Sequence, residues 1–229
     1  MLLYFGVLPM MPIADAGAGL FTSPIFVLIF SAIFFKEKIS FYQVIAVFFG
    51  AIGILLVLQP GGESITIFHI FPILAGACYA VGVIITSRYC VDESPLAVLF
   101  SFLISIGSAG LFISVIFSFY HMPTSLLNEA PFLFTGWQKT TIDFWVLILF
   151  LGISASVAIG LMIRAYQISQ ASFTVIYEYT YLISAGFFGY ILWETWPGIY
   201  GIIGIILIIF AGIIISILKQ PALETLSNK

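Results

Sequence analysis

Charge is what this sequence has least of. Seven Lys and Arg and ten Asp and Glu leave 7% charged residues in a chain of 229, where soluble domains carry about a quarter. A water-facing surface cannot be built from so few, and burial inside a soluble fold does not remove the need. Basic runs are missing as well, and the net charge is −3, so nothing here neutralises phosphates and nucleic acid is excluded as a partner. Cysteine is scarce: Cys78 sits in an apolar run and Cys90 in a polar turn, which gives neither a disulfide framework nor a metal spacing. No His/Cys/Asp/Glu cluster stands at ligand spacing, so no metal is expected. A phosphate-binding Gly-Lys loop is also lacking, and no cofactor is implied. Met1-Leu2-Leu3-Tyr4 offers no basic leader of the kind a signal peptide needs.

What the chain does have is hydrophobic length, 62% of its residues. A bilayer-crossing helix takes about 20 apolar residues, the hydrocarbon being about 30 Å thick at roughly 1.5 Å per residue. Six uncharged stretches meet or approach that length: 16–35, 41–58, 66–87, 95–120, 144–163 and 198–218. A seventh, 171–193, qualifies apart from Glu178. Turn-forming punctuation separates them, at Lys36-Glu37-Lys38, Gln59 to Glu63, Arg88 to Pro95, and Glu194-Thr195-Trp196-Pro197. Only the segment from His121 to Asp143 is long enough for a structured loop. Trp137, Trp145, Trp193 and Trp196 suit headgroup depth. Residues 1–12 are apolar but too short to span, and read as the end of a helix whose beginning is missing.

Counting crossings puts Lys36, Lys38, Arg88, Arg164, Lys219 and Lys229 on one side, leaving only Lys139 opposite. By the positive-inside rule that side is cytoplasmic, and the tail from Lys219 with it. Two stretches then share a pattern. One runs from Ala14-Asp15-Ala16 through Pro24 to Glu37 and a span with Gly50 and Gly53. The other runs from Ala171-Ser172 through Tyr181 to Glu194 and a span with Gly201, Gly204 and Gly212. Glu37 and Glu194 fall on opposite sides, so the repeat is inverted, as in secondary carriers whose halves rock about a midplane site.

Specific residues point to a family. Pro12-Ile13-Ala14-Asp15-Ala16, Phe21-Thr22-Ser23-Pro24 and Phe35-Lys36-Glu37-Lys38 resemble the first repeat of EamA-type carriers of the drug/metabolite transporter superfamily. Arg164-Ala165-Tyr166, Ala171-Ser172, Tyr177 to Leu182, Gly189-Tyr190, Glu194 and Pro197 resemble the second. The resemblance implies an all-α polytopic membrane protein, an inverted-repeat helical bundle with about seven full transmembrane helices and an N-terminal remnant. It places residue 1 inside the third of ten helices. The implied organisation is the C-terminal part of the first repeat at 1–58, a loop at 59–66, the second repeat at 67–218 and a cytoplasmic tail at 219–229. A bacterial inner membrane is the implied location. Within the superfamily, the Ala-Asp-Ala and Glu-Tyr-Thr patterns look most like carriers for S-adenosylmethionine-type uptake.

Glu178 is the most informative position. It lies about seven residues into its span, on the order of 10 Å deep. A charged side chain at mid-helix costs about 2.5–3.5 kcal/mol on insertion scales, so it should face protein or water. At helical spacing Thr174, Glu178, Tyr181 and Ala185 share a face, presenting a carboxylate beside a phenol to a cationic or hydrogen-bonding substrate. The plainer reading is a glutamate bonded to a neighbouring helix. Thr22, Ser23 and Pro24 are candidates for a loosened helix with exposed carbonyls, or for a plain proline kink. Arg164 suits the C-terminal dipole of its helix or snorkels to the interface; pairing with Glu178 as a gate is the sharper alternative. Asp15 reads first as a dipole-compensating residue, Glu37 and Glu194 as turn acids, and His69 as bonded to a neighbour.

The expected function is secondary transport of a small polar metabolite, cationic ones included, by alternating access. The alternative is a non-transporting truncated remnant or an assembly subunit. An intramembrane enzyme would need a nucleophile–base pair or clustered acids, and Glu178 stands alone in its span. The expected partners are a small-molecule metabolite and the lipid bilayer, with a homodimer left open.

Overall fold

A computed structural model describes residues 2–11, 13–59, 67–119, 140–193 and 198–217. Trp137, Trp196, Glu194, the loop around His121 and the tail from Lys219 lie outside the described residues, as do the side chains of Trp193 and Ala185. Every described element is helical. In chain order they are α1 (Leu2–Phe5), a 3-10 turn at Leu8–Met10, α2 (Ile13–Leu20), α3 (Ser23–Phe35) and α4 (Phe41–Leu58). A 3-10 turn at Ile67–His69 leads into α5 (Ile70–Tyr89), followed by α6 (Pro95–Phe119) and α7 (Ile142–Ile168). Then come α8 (Ala171–Thr174), a 3-10 stretch at Val175–Tyr179, α9 (Thr180–Trp193) and α10 (Ile199–Ile217).

Five of these helical runs are long and apolar enough to cross a bilayer: Ile13–Phe35, Phe41–Leu58, Ile67–Tyr89, Pro95–Phe119 and Ile142–Ile168. The other two expected spans are present in altered form. Residues 171–193 are cut by the 3-10 stretch, and α10 is 19 residues long. The N-terminal segment is a short helix and a 3-10 turn at Pro9, its Val7 and Met11 packed with Ala16 of α2. Arg164 does not end its helix as expected. The helix runs on to Ile168 because the next residues bury Tyr166 and Gln167.

Contacts divide the chain into two units, 1–87 with 169–229, and 88–168. The first unit is built around α4 against α10. Within a membrane, helices gain little from hydrophobicity and associate where small residues let backbones approach. Here Gly53 and Gly204 meet: a β-carbon on Gly53 would lie 2.7 Å from the Gly204 carbonyl oxygen, and one on Gly204 would lie 2.5 Å from that of Gly53. Not every glycine in a span is used this way: Gly152 and Gly212 have no atom within 4 Å of such a β-carbon among the described residues. Two left-handed residues shape the ends of the first spans. Lys36 (φ 52°) closes α3, with the Glu37 amide returning to the Ser31 carbonyl at 3.2 Å, and Gln59 (φ 46°) closes α4.

The second unit is the hairpin of α6 and α7. Leu99 is the buried residue of α6, and it lies against Gly160 of α7. Gln167 ties the hairpin's open end. Its Nε2 donates to the Cys90 carbonyl at 2.6 Å and to the Glu93 carbonyl at 3.0 Å, closing the turn before α6.

Candidate functional site

Two of the spans in the first unit are interrupted, and proline explains one of them. Pro24 has no N–H, so the Leu20 carbonyl four residues earlier loses its helical donor. The chain passes through Phe21 and Thr22 as a turn between α2 and α3. Thr22 keeps helical backbone angles, φ −71° and ψ −9°, so the interruption is a slip in bonding rather than a sharp bend. The Thr22 hydroxyl donates to the Gly19 carbonyl at 2.6 Å. Ser23 and Pro24 are buried. The loosened carbonyls face α5: a β-carbon on Gly76 would stand 2.9 Å from the Leu20 oxygen and 3.3 Å from that of Gly19.

The second interruption holds Glu178. Residues Val175–Tyr179 wind as 3-10, and the Thr180 amide bonds back to Tyr177 and Glu178. A mid-span 3-10 stretch often marks a hinge or strain. It also resets the faces. At three residues per turn Glu178 and Tyr181 stay in line, whereas Thr174 turns away. The contacts follow this geometry. Thr174 exchanges a hydrogen bond with Ser169, while Glu178 accepts one from elsewhere: the Tyr79 hydroxyl of α5 donates to its Oε1 at 2.5 Å. Tyr179, on the opposite side, is buried with its ring pressed on Gly50 of α4. Its hydroxyl has no hydrogen-bond partner among the described residues.

Both interruptions therefore meet α5 within one turn. Gly76 and Tyr79 are three apart, on one face of the helix; the first receives the Leu20 and Gly19 carbonyls and the second receives Glu178. The interruptions also touch each other. Phe21 lies 6.2 Å from Tyr181 between ring centroids. Tyr181 is 64% exposed and Glu178 half-buried. The cluster thus offers a carboxylate, two phenols and an aromatic face around a mid-span point. Arg164 belongs to the second unit, exposed near the end of α7.

Sequence reasoning missed Tyr79. Its only signal was a phenol in the middle of an apolar span, three residues after Gly76. Two polar contacts at the span ends were missed as well. Glu37 does more than close a turn: its Oε2 accepts from Ser172 at 2.9 Å, and the Gln43 Nε2 reaches the same Ser172 hydroxyl at 3.4 Å. Gln43 in turn receives the Ser40 amide at 2.8 Å, which fixes the start of α4. At the other end of the Ile13–Phe35 span, His69 Nε2 stands 3.6 Å from Asp15 Oδ2. Among the described residues no group of three His, Cys, Asp or Glu could hold a metal ion.

Comparison with known proteins agrees with this architecture. The EamA-like transporter family matches residues 1–59. The S-adenosylmethionine uptake transporter of Rickettsia bellii is 24% identical over 230 residues, covering 98% of this chain and 72% of that protein. The riboflavin transporter of Brucella anthropi is 26% identical, covering 84% of this chain and 66% of that protein. A solved crystal structure superposes with a TM-score of 0.72 at 17% identity, covering 95% of this chain and 73% of the other. The last shows a shared fold. The chain resembles EamA-type carriers of the drug/metabolite transporter superfamily, and it is an all-α integral membrane protein. Its relatives are named as transporters of metabolites, which supports a transporter role and a small-molecule partner.

Proposed function

We propose that the chain is a secondary transporter that moves a small polar metabolite, cationic ones included, by alternating access, and that Glu178 is its central binding group. The observation that carries this reading is the convergence of two interrupted spans on one face of α5, with the carboxylate of Glu178 held by the Tyr79 hydroxyl and Tyr181, three residues on, beside Phe21. Interrupted helices at mid-membrane are where carriers bind substrate and pivot. The Tyr79 hydrogen bond holds the carboxylate in place; a positive group seated against Tyr181 and Phe21 would gain both Coulombic and cation–π attraction. Thr174 flanks the acid along the same span, and Thr22, Ser23 and Pro24 supply the second pivot. Arg164 is assigned a gating role at the end of α7. In this reading 1–58 is the C-terminal part of the first repeat and 67–218 the second, the membrane is a bacterial inner membrane, and the C-terminus is cytoplasmic.

The test is uptake of radiolabelled S-adenosylmethionine and of riboflavin into proteoliposomes. Glu178→Gln keeps the shape and removes the charge. Hydrogen bonds to a charged group contribute about 1.5–3 kcal/mol, so uptake of a cationic substrate should fall about ten-fold or more with membrane insertion intact. Uptake at the native rate by that variant would refute the assignment. Well-inserted wild-type protein that carries neither compound and binds no metabolite would favour the reading as a non-transporting assembly subunit.

A further inference from the structure

The polar network just past the Ile13–Phe35 span takes no part in the site at Glu178. Pro24 divides that span into α2 and α3, and the 3-10 stretch at Val175–Tyr179 divides the second interrupted span into α8 and α9. Of these four pieces, α3 and α8 pack against each other, and Ser172 ties α8 to the corner between α3 and α4. Its hydroxyl donates to Glu37 Oε2 at 2.9 Å and accepts from Gln43 Nε2 at 3.4 Å. Each side of this contact is built as a unit. At the corner, the Glu37 amide returns to the Ser31 carbonyl and Gln43 Oε1 takes the Ser40 amide. On α8, the Phe173 and Thr174 amides both bond to the Gln170 carbonyl at 3.0 Å, and the Thr174 hydroxyl pairs with that of Ser169. Ser172 is 1% exposed, so water competes little for its bonds, and one of its partners is a carboxylate.

We propose that Ser172, with Glu37 and Gln43, is a latch that holds α3 and α8 together, and that α8 turns away from α3 about the 3-10 stretch when the latch opens. The geometry supplies a pivot for each partner. The Val175–Tyr179 stretch uncouples α8 from α9, and the carbonyl that Pro24 leaves without its helical donor uncouples α3 from α2. The pair can therefore part at the Lys36 end of the spans while α2 and α9 hold their places. The latch has its meaning within the transport reading, on which it rests in this respect: it closes one of the two ways to Glu178. Ser172 is the positioning residue of this device, since its single hydroxyl makes both bonds across the contact.

Cysteine labelling of the whole chain in lipid nanodiscs tests this, with a charged maleimide and no substrate. Cys78→Ser and Cys90→Ser together give a background without native thiols. Ser31→Cys on α3 and Ala171→Cys on α8, both 1% exposed, report on the contact; Ala16→Cys on α2, 0% exposed, is the control beyond the Pro24 interruption. Labelling of a buried thiol follows the population of the open form. Ser172→Ala removes both bonds, one of them to a charged group, so the two reporters should react about ten-fold faster or more while Ala16→Cys keeps its rate. Glu37→Gln leaves Ser172 an uncharged acceptor and should give a smaller rise at the same two positions; it decides the matter in the same way where Ser172→Ala fails to insert. Unchanged labelling would overturn the inference, as would a rise at one reporter alone or a rise that includes Ala16→Cys. Because no substrate is present, failure here is distinct from failure of the transport reading, which the uptake experiment judges.

Discussion

Replacing Gly50 by alanine tests whether the placement of Glu178 depends on the α4 backbone. The added methyl would lie 2.1 Å from Cε2 and 2.2 Å from Cδ2 of Tyr179, against an optimal carbon–carbon separation of about 3.5–4.0 Å. The ring is 1% exposed and has no free direction in which to rotate, so it must retreat and take the 3-10 backbone with it. Glu178 is the next residue, and its bond to Tyr79 is already short. Overpacking of this kind costs about 1–3 kcal/mol. At about 2–4 °C per kcal/mol for chains of this size, Tm in detergent should fall by about 2–12 °C. Gly212→Ala on α10 is the control, since nothing lies within 4 Å of its added methyl among the described residues. It should be neutral or slightly stabilising, alanine being favoured over glycine in helices by about 1 kcal/mol. A double-mutant cycle isolates the contact. In a Tyr179→Ala background, itself destabilised by the lost ring, Gly50→Ala should cost almost nothing, a coupling of about 1–3 kcal/mol. Additive losses would mean that the ring does not rest on Gly50, and the account of how Glu178 is held would fail.

Two further outcomes follow from the same geometry. Pro24→Ala returns a donor to the Leu20 carbonyl, so the Ile13–Phe35 span should become more continuous; Tm should rise while uptake slows, and unchanged uptake would show that the interruption is not a pivot. Gln167→Ala removes two bonds to the Cys90 and Glu93 carbonyls, costing about 1–3 kcal/mol at buried groups; hydrogen exchange should rise at 90–94 without change in α4 or α10, and a global loss of protection would contradict the separation into two units.

Hydropathy made the spans legible because a bilayer demands a minimum apolar length whatever the neighbours. The Thr22–Pro24 interruption was legible for a different local reason, the missing N–H of proline. Glu178 stood out because charge is rare in this chain. What could not be read was partnership. Tyr79 lies 99 residues from Glu178 and Ser172 lies 135 from Glu37, and no periodicity encodes which helices become neighbours. The alignment of Thr174 with Glu178 failed for a subtler reason. It assumed α-helical winding, while packing of Tyr179 on Gly50 goes with tighter winding at Val175–Tyr179. Gly152 and Gly212 show the converse limit: a glycine in a span is permission for close contact, and only the fold decides whether a neighbour uses it.

The Ile13–Phe35 span is pinned at both ends and interrupted between them, which bounds what each pin can do in the proposed cycle. Asp15 meets His69 at one end; at the other, Glu37 and Gln43, just past the span, meet Ser172. A helix continuous through this region would transmit the release of one pin to the other. With the Leu20 carbonyl uncoupled at Pro24, α2 and α3 can respond separately, so one end can open while the other stays closed. Each pin is a hydrogen bond or ion pair to a charged group, contributing about 1.5–3 kcal/mol. Inverting a two-state population from 1:99 to 99:1 takes about 5.5 kcal/mol. Neither pin suffices alone. The remainder has to come from a group that differs between the two states, and Glu178 is the charged group that lies where both interrupted spans meet α5. Occupation of that carboxylate at a similar strength, together with the gain or loss of one pin, supplies about 3–6 kcal/mol, which meets the requirement at the upper end of that range. Binding at mid-span and release at one end are then two parts of a single transition.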